Sequence, residues 1–222
     1  MGMRRRRGLL RATGAVAALA YAGFLLDAVA PGRHDWGSLV SELESPGRPF
    51  ALVLRTADVA SAVLAVALVP ALGRLGEDAG GRGRWAARLL CGGVLVFGAG
   101  EIGAALVPLP AGVPDTLEEV VEAASEQVLA HNALSVAAIA GLLASGLGAV
   151  LLLGGRPCWL PGTLGLLGAG VAVSVAGDLL ADRAPALADL AGVGQRVQIL
   201  AGSVWLVGLG ALAARAAPGE RA

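Results

Sequence analysis

Val128–Leu153 reads VLAHNALSVAAIAGLLASGLGAVLLL, 26 residues without one Asp, Glu, Lys or Arg. At 1.5 Å of rise per residue this stretch forms a helix of about 39 Å, longer than the ~30 Å of hydrocarbon in a bilayer. A soluble helix of that length carries a polar face. This one offers only His131, Asn132, Ser135 and Ser145 among small and apolar residues. It reads as a membrane span.

Five further runs share that character: Ala12–Ala30, Phe50–Leu72, Trp85–Pro108, Pro161–Ala181 and Gly194–Ala214. Short segments rich in Gly, Pro and charge divide them, such as GRLGEDAGGRGR at Gly73–Arg84 and GGRP at Gly154–Pro157. No connector is long enough to fold alone. The expected fold class is all-α, an integral membrane bundle of six transmembrane helices forming one domain over residues 1–222. The first run has a basic start (Arg4–Arg7) and an Ala-Val-Ala that mimics a signal-peptide cleavage site. Its length, and the parity of the other five, favour a retained span.

Composition agrees. Of 222 residues, 56% are hydrophobic and 15% charged, against about 25% charged in soluble domains, and the mean hydropathy is +0.72. A chain with 17 acids and 17 bases is not disordered, not a nucleic-acid binder and not a disulfide scaffold. Every basic residue is Arg, and Gly and Ala abound, which points to a GC-rich, bacterial genome. Cys91 and Cys158 are expected as free thiols on the cytoplasmic side.

Orientation follows from arginine asymmetry. With the N-terminus inside, twelve arginines face the cytoplasm and five (Arg33, Arg48, Arg55, Arg183, Arg196) lie on the outer side. Both termini are therefore expected in the cytoplasm of a cell-membrane protein. On the outer side, Trp36, Leu39, Val40 and Leu43 fall at i, i+3, i+4, i+7 within His34–Ser45, the pattern of a short interfacial helix. Asp115–Gln127 (DTLEEVVEAASEQ) reads as a second amphipathic helix capped by Asp115, with Glu118 in the first turn.

GAGEIG at Gly98–Gly103 is a literal G-x-G-x-x-G. The dinucleotide reading needs strand–helix alternation, which six long apolar runs do not supply. It is expected to be a helix face that packs closely because it lacks side chains. Gly141-x-x-x-Ser145 and Gly170-x-x-x-Ser174 fit the same kind of contact.

Ionisable groups are costly in hydrocarbon and call for partners or roles. Asp27, Arg55, Asp58, Glu101, His131, Asp178 and Arg196 all fall in the outer halves of their spans, while the inner halves are almost uncharged. Arg55 and Asp58, at i, i+3, can pair; His131 and Ser135 share a face at i, i+4. Asp58 and Glu101 are the deepest acids. Four acids against two arginines leave an excess of negative charge, which a bound proton, a bound cation or water must relieve. The chain has two His and no HExxH. A His131–Asp178–Glu101 or His131–His34–Asp58 set is imaginable for a metal, but without HExxH or a paired-His helix the signal is weak, and no cofactor and no metal is assigned.

Trp36–Asp58 reads WGSLVSELESPGRPFALVLRTAD. This resembles the bacterial six-helix membrane proteins catalogued as domain of unknown function 998. The likeness rests on Ser41-Glu42-Leu43, on Gly47-x-Pro49 before the second span, on Arg55 followed by Asp58 within it, and on His131, with Ser135 after it, at the start of the fourth. The chain departs from the family at Val107–Asp115 (VPLPAGVPD), where a Pro-x-Asp turn is replaced by a longer acidic insert. The resemblance implies the six-helix topology and an outer site, and no reaction. It places Ser41 and Glu42 over the polar cluster. The expectation is an outward-open pocket of Glu42, Arg55, Asp58, Glu101, His131 and Ser135 for a small polar or lipid-like ligand. An intramembrane metal-dependent hydrolase, or a scaffold subunit of a membrane complex, are the competing readings.

Overall fold

The computed structural model describes residues 2–29, 37–77, 79–110, 126–156, 158–180, 184 and 189–217. Their regular structure is helical throughout. Helix α1 spans Met3–Tyr21 and is followed by a 3₁₀ stretch, Gly23–Val29. A four-residue helix, α2, covers Val40–Leu43. Helix α3 (Ala51–Val66), the short α4 (Val69–Leu72) and a 3₁₀ turn at Gly73–Gly76 run on as one rod. Then come α5 (Gly81–Leu106), α6 (Glu126–Leu153), α7 (Trp159–Leu180) and α8 (Asp189–Ala216).

Five of these are long and apolar enough to cross a membrane: Ala51–Gly76, Gly81–Leu106, Glu126–Leu153, Trp159–Leu180 and Asp189–Ala216. Each matches an apolar run of the sequence to within a few residues. Helix α1 does not meet that measure. Its first turns carry Arg4–Arg7 and Arg11, and its α-helical part stops at Tyr21, where the run Ala12–Ala30 was expected to continue. Gly23, a poor helix former, opens the 3₁₀ stretch that follows the break. Of the expected outer helix His34–Ser45, residues 37–45 are described and only α2 is helical, with Val40 and Leu43 buried as the stripe requires; His34 and Trp36 lie outside the described residues. So does most of Asp115–Gln127.

The long helices form a closed ring in which α1 packs on α3, α3 on α5, α5 on α6, α6 on α7, α7 on α8 and α8 back on α1. Helix α8 is the most enclosed. Small residues set the closest approaches. A Cβ added at Gly141 would meet the Phe97 amide nitrogen and, at 2.6 Å, the Gly93 carbonyl; one at Gly148 would meet the Leu90 amide and, at 2.8 Å, the Ala86 carbonyl. Helices α5 and α6 thus touch backbone to backbone, where Cα–H···O contacts and dispersion hold them without a solvent-driven term. Gly170 and Gly194 do the same for α7 and α8. Gly98–Gly103 lies wholly within α5, and its glycines face Val66, Leu134 and the α6 backbone, as the packing interpretation of GAGEIG expects.

One polar chain crosses the core. The Trp205 indole N–H donates to the Ser145 hydroxyl at 2.8 Å, which donates to the Leu142 carbonyl at 2.8 Å. Trp159 lies beside Trp205 with ring centroids 6.2 Å apart.

Candidate functional site

At the end of the bundle holding the N-terminal turns of α6 and α8, the residues close a small cavity of about 60 Å³. Asp58 comes from α3, Glu101 and Ala105 from α5, His131 and Ser135 from α6, Gln195 and Gln198 from α8. Tyr21 enters from the last turn of α1, and Ser41 and Glu44 roof it. The space admits a few water molecules or one small ion. It is well below the ~300–1,000 Å³ of a drug-sized ligand pocket.

The roof is held by polar latches. The Val40 amide donates to Gln195 Oε1 at 2.6 Å, and Arg196 Nη1 donates to the Ser38 carbonyl at 2.7 Å. The Arg196 guanidinium also lies 5.9 Å from the centroid of the Phe24 ring, within cation–π range. Gly192 lets the roof approach: a Cβ there would collide with the Gly37 and Ser38 carbonyls. Between roof and floor, the Glu44 and Asp58 side chains meet in the cavity lining.

His131 is buried and directional. Its Nδ1 lies 2.8 Å from the Val107 carbonyl. A carbonyl only accepts, so Nδ1 carries the hydrogen of this contact. The buried Nε2 has no hydrogen-bond partner among the described residues.

Four of the six expected site residues are thereby located on one cavity: Asp58, Glu101, His131 and Ser135. Two are not lining it. Arg55 turns its Nε to the Ala105 carbonyl at 2.8 Å, tying α3 to the end of α5 beside the cavity. Glu42 does not line it either; the acid that does is Glu44. Residues two apart on a helix point about 200° from each other, so one turn cannot present both. Glu44 was legible: it stands four residues after Val40, on the apolar stripe, where an acid is out of place. Of the other ionisable groups, Arg196 is buried beneath the roof and Asp178 is exposed. Among the described residues, no group of three or more His, Cys, Asp and Glu is arranged to hold a metal ion; His34, a member of one conceivable set, lies outside them.

Burial pushes the Glu44 carboxyl above its ordinary range, against the lowering effect of the His131 and Arg55 charges. The sign of the consequence is fixed by linkage. The docked roof binds a proton that the undocked one releases, so docking is strongest at acid pH and weakens as pH rises through the raised value. Hydrogen exchange at the Val40 amide, corrected for its intrinsic pH dependence, is expected to quicken with rising pH. Glu44→Gln, which stays neutral, is expected to flatten that profile.

The family model described as "Protein of unknown function (DUF998)" matches residues 5–212. No significant match is found among curated proteins or solved structures.

Proposed function

The chain belongs to the DUF998 family of proteins of unknown function, and from that premise we propose that this multi-pass membrane protein binds a small hydrogen-bond-donating cation of the ammonium class in its acidic cavity. The single observation behind the reading is the convergence of Glu44, Asp58 and Glu101 with the unpartnered His131 Nε2 on about 60 Å³. Such a lining sets three carboxyls and an imidazole nitrogen among the hydroxyls of Tyr21, Ser41 and Ser135 and the amides of Gln195 and Gln198. Three carboxyls beside one engaged arginine need positive charge. An ammonium ion supplies both charge and N–H donors, and it fits the volume. A whole lipid does not, which narrows the ligand from "small polar or lipid-like" to small and cationic. Arg55, held on the Ala105 carbonyl, is a positioning residue here rather than a grip for a phosphate or carboxylate.

The reading includes six spans, α1 with its 3₁₀ extension being the sixth, in a cell membrane with both termini cytoplasmic. Its support is the arginine split and the ring that α1 completes. The cavity then opens to the outer face, and the roof of residues 37–45 governs entry.

The test is calorimetric titration of the detergent-solubilised protein with methylammonium chloride, with choline as an oversized control. Saturable methylammonium binding and no choline binding are expected. Asp58→Asn and Glu101→Gln are each expected to weaken it about tenfold or more, since a hydrogen bond to a charged group contributes ~1.5–3 kcal/mol, with melting temperature little changed. Absence of saturable binding, or unchanged affinity in both variants, would overturn the proposal.

A further inference from the structure

A second cavity, of about 300 Å³, lies at the other end of α5. Thirteen residues separate Arg88 from Glu101, so the two sites are about 20 Å apart along the helix. One wall is a single face of α5: Arg84, Ala87, Arg88 and Cys91, at i, i+3, i+4, i+7. The other is the 3₁₀ turn that ends the preceding rod, with Gly73 and Gly76 in the wall and Glu77 the only carboxylate in it among the described residues. The turn lies tight on α5, since a Cβ at Gly76 would stand 2.6 Å from that of Ala87.

Three features point to one class of occupant. The floor is apolar or weakly polar, made by Ala87, the glycines and the half-buried Cys91 thiol. Two guanidiniums stand one helical turn apart at its mouth, a spacing suited to the oxygens of a phosphate. Residues 73–91 hold four arginines against Glu77 and Asp78, and in the same turn the buried Nη1 of Arg74 has no hydrogen-bond partner among the described residues. Trp85, beside Arg84, is 58% exposed, as a side chain anchoring the helix at a membrane interface is. We propose that this crevice binds an anionic phospholipid of the adjoining leaflet, its phosphate on Arg84 and Arg88 and its first acyl carbons against Ala87 and Cys91. Basic crevices between spans take anionic headgroups for this reason. The site is independent of the acidic cavity.

Cys91 reports occupancy. In a Cys158→Ser background, the protein is reconstituted in phosphatidylglycerol or phosphatidylcholine vesicles and labelled with an uncharged maleimide. Labelling of Cys91 is expected to be about tenfold slower in phosphatidylglycerol, the scale of two interfacial arginines. The R84Q/R88Q double variant is expected to label at equal rates in both lipids, and R84K/R88K, which keeps the charge and controls for folding, to retain part of the difference. Equal wild-type rates in the two lipids, or a difference that persists in R84Q/R88Q, would overturn the proposal. Protection by inorganic phosphate in phosphatidylcholine vesicles would do so too, by making the ligand a soluble anion.

Discussion

Gly141→Val is expected to destabilise the bundle by about 3 kcal/mol, the upper end of what overpacking costs. The reason is that nothing near Gly141 can move alone. Its missing Cβ would sit against the Phe97 amide, with the Gly93 carbonyl at 2.6 Å and the Phe97 Cα at 2.9 Å. These are backbone atoms of α5, so relief requires the two helices to separate. Separation would also break the matching approaches at Gly93, Gly100 and Gly148. Denaturant unfolding in mild detergent checks this. The control is Gly168→Ala on α7, where an added Cβ meets nothing within 4 Å; it is expected to leave stability unchanged or slightly raised, as helix propensity favours Ala. Equal effects at both positions would mean that close approach is not what holds α5 to α6.

Arg196→Ala is expected to cost about 2–3 kcal/mol, the range for hydrogen bonds made by a charged group, and to free the roof. Arg196 is 5% exposed; its guanidinium serves the Ser38 carbonyl and the Phe24 ring. Removing it leaves the carbonyl of the half-buried Ser38 without that charged donor. The expected signature is chymotryptic cleavage at Leu43, a side chain now buried, at a rate well above wild type. Arg196→Lys is expected to fall between, because an ammonium retains the charge and loses the planar fork. Unchanged cleavage in Arg196→Ala would show that the roof stays docked on its other contacts without Arg196.

The apolar spans were plain in the sequence because hydrocarbon tolerates so few polar residues that runs such as Val128–Leu153 have one reading. The clustering of acids was legible for the same reason, as Asp58, Glu101 and His131 fall at similar depth. What depth does not give is azimuth. Helix α3 has two ionisable residues, three apart, yet Asp58 lines the cavity and Arg55 turns to the Ala105 carbonyl. That carbonyl is available because α5 ends at Leu106, a boundary the apolar run, which continues to Pro108, conceals. Motif likeness singles out Glu42; the stripe of Trp36, Leu39, Val40 and Leu43, carried one residue further, reaches Glu44. The pairing of α5 with α6 through glycines was visible only as small-residue spacing, which in a chain with 34 glycines occurs on nearly every helix.

The ring is sealed by the contact between α1 and α8, where Gly14 and Gly210 meet backbone to backbone. Since α8 also brings Gln195, Arg196 and Gln198, a helix made after α1, α3 and α5 supplies both the seal and one wall of the acidic chamber. During synthesis the carboxyls of α3 and α5 must therefore wait in the translocon or the lipid without their amide neighbours. Quality-control proteases have that interval in which to distinguish a closed ring from a chain stalled before residue 189.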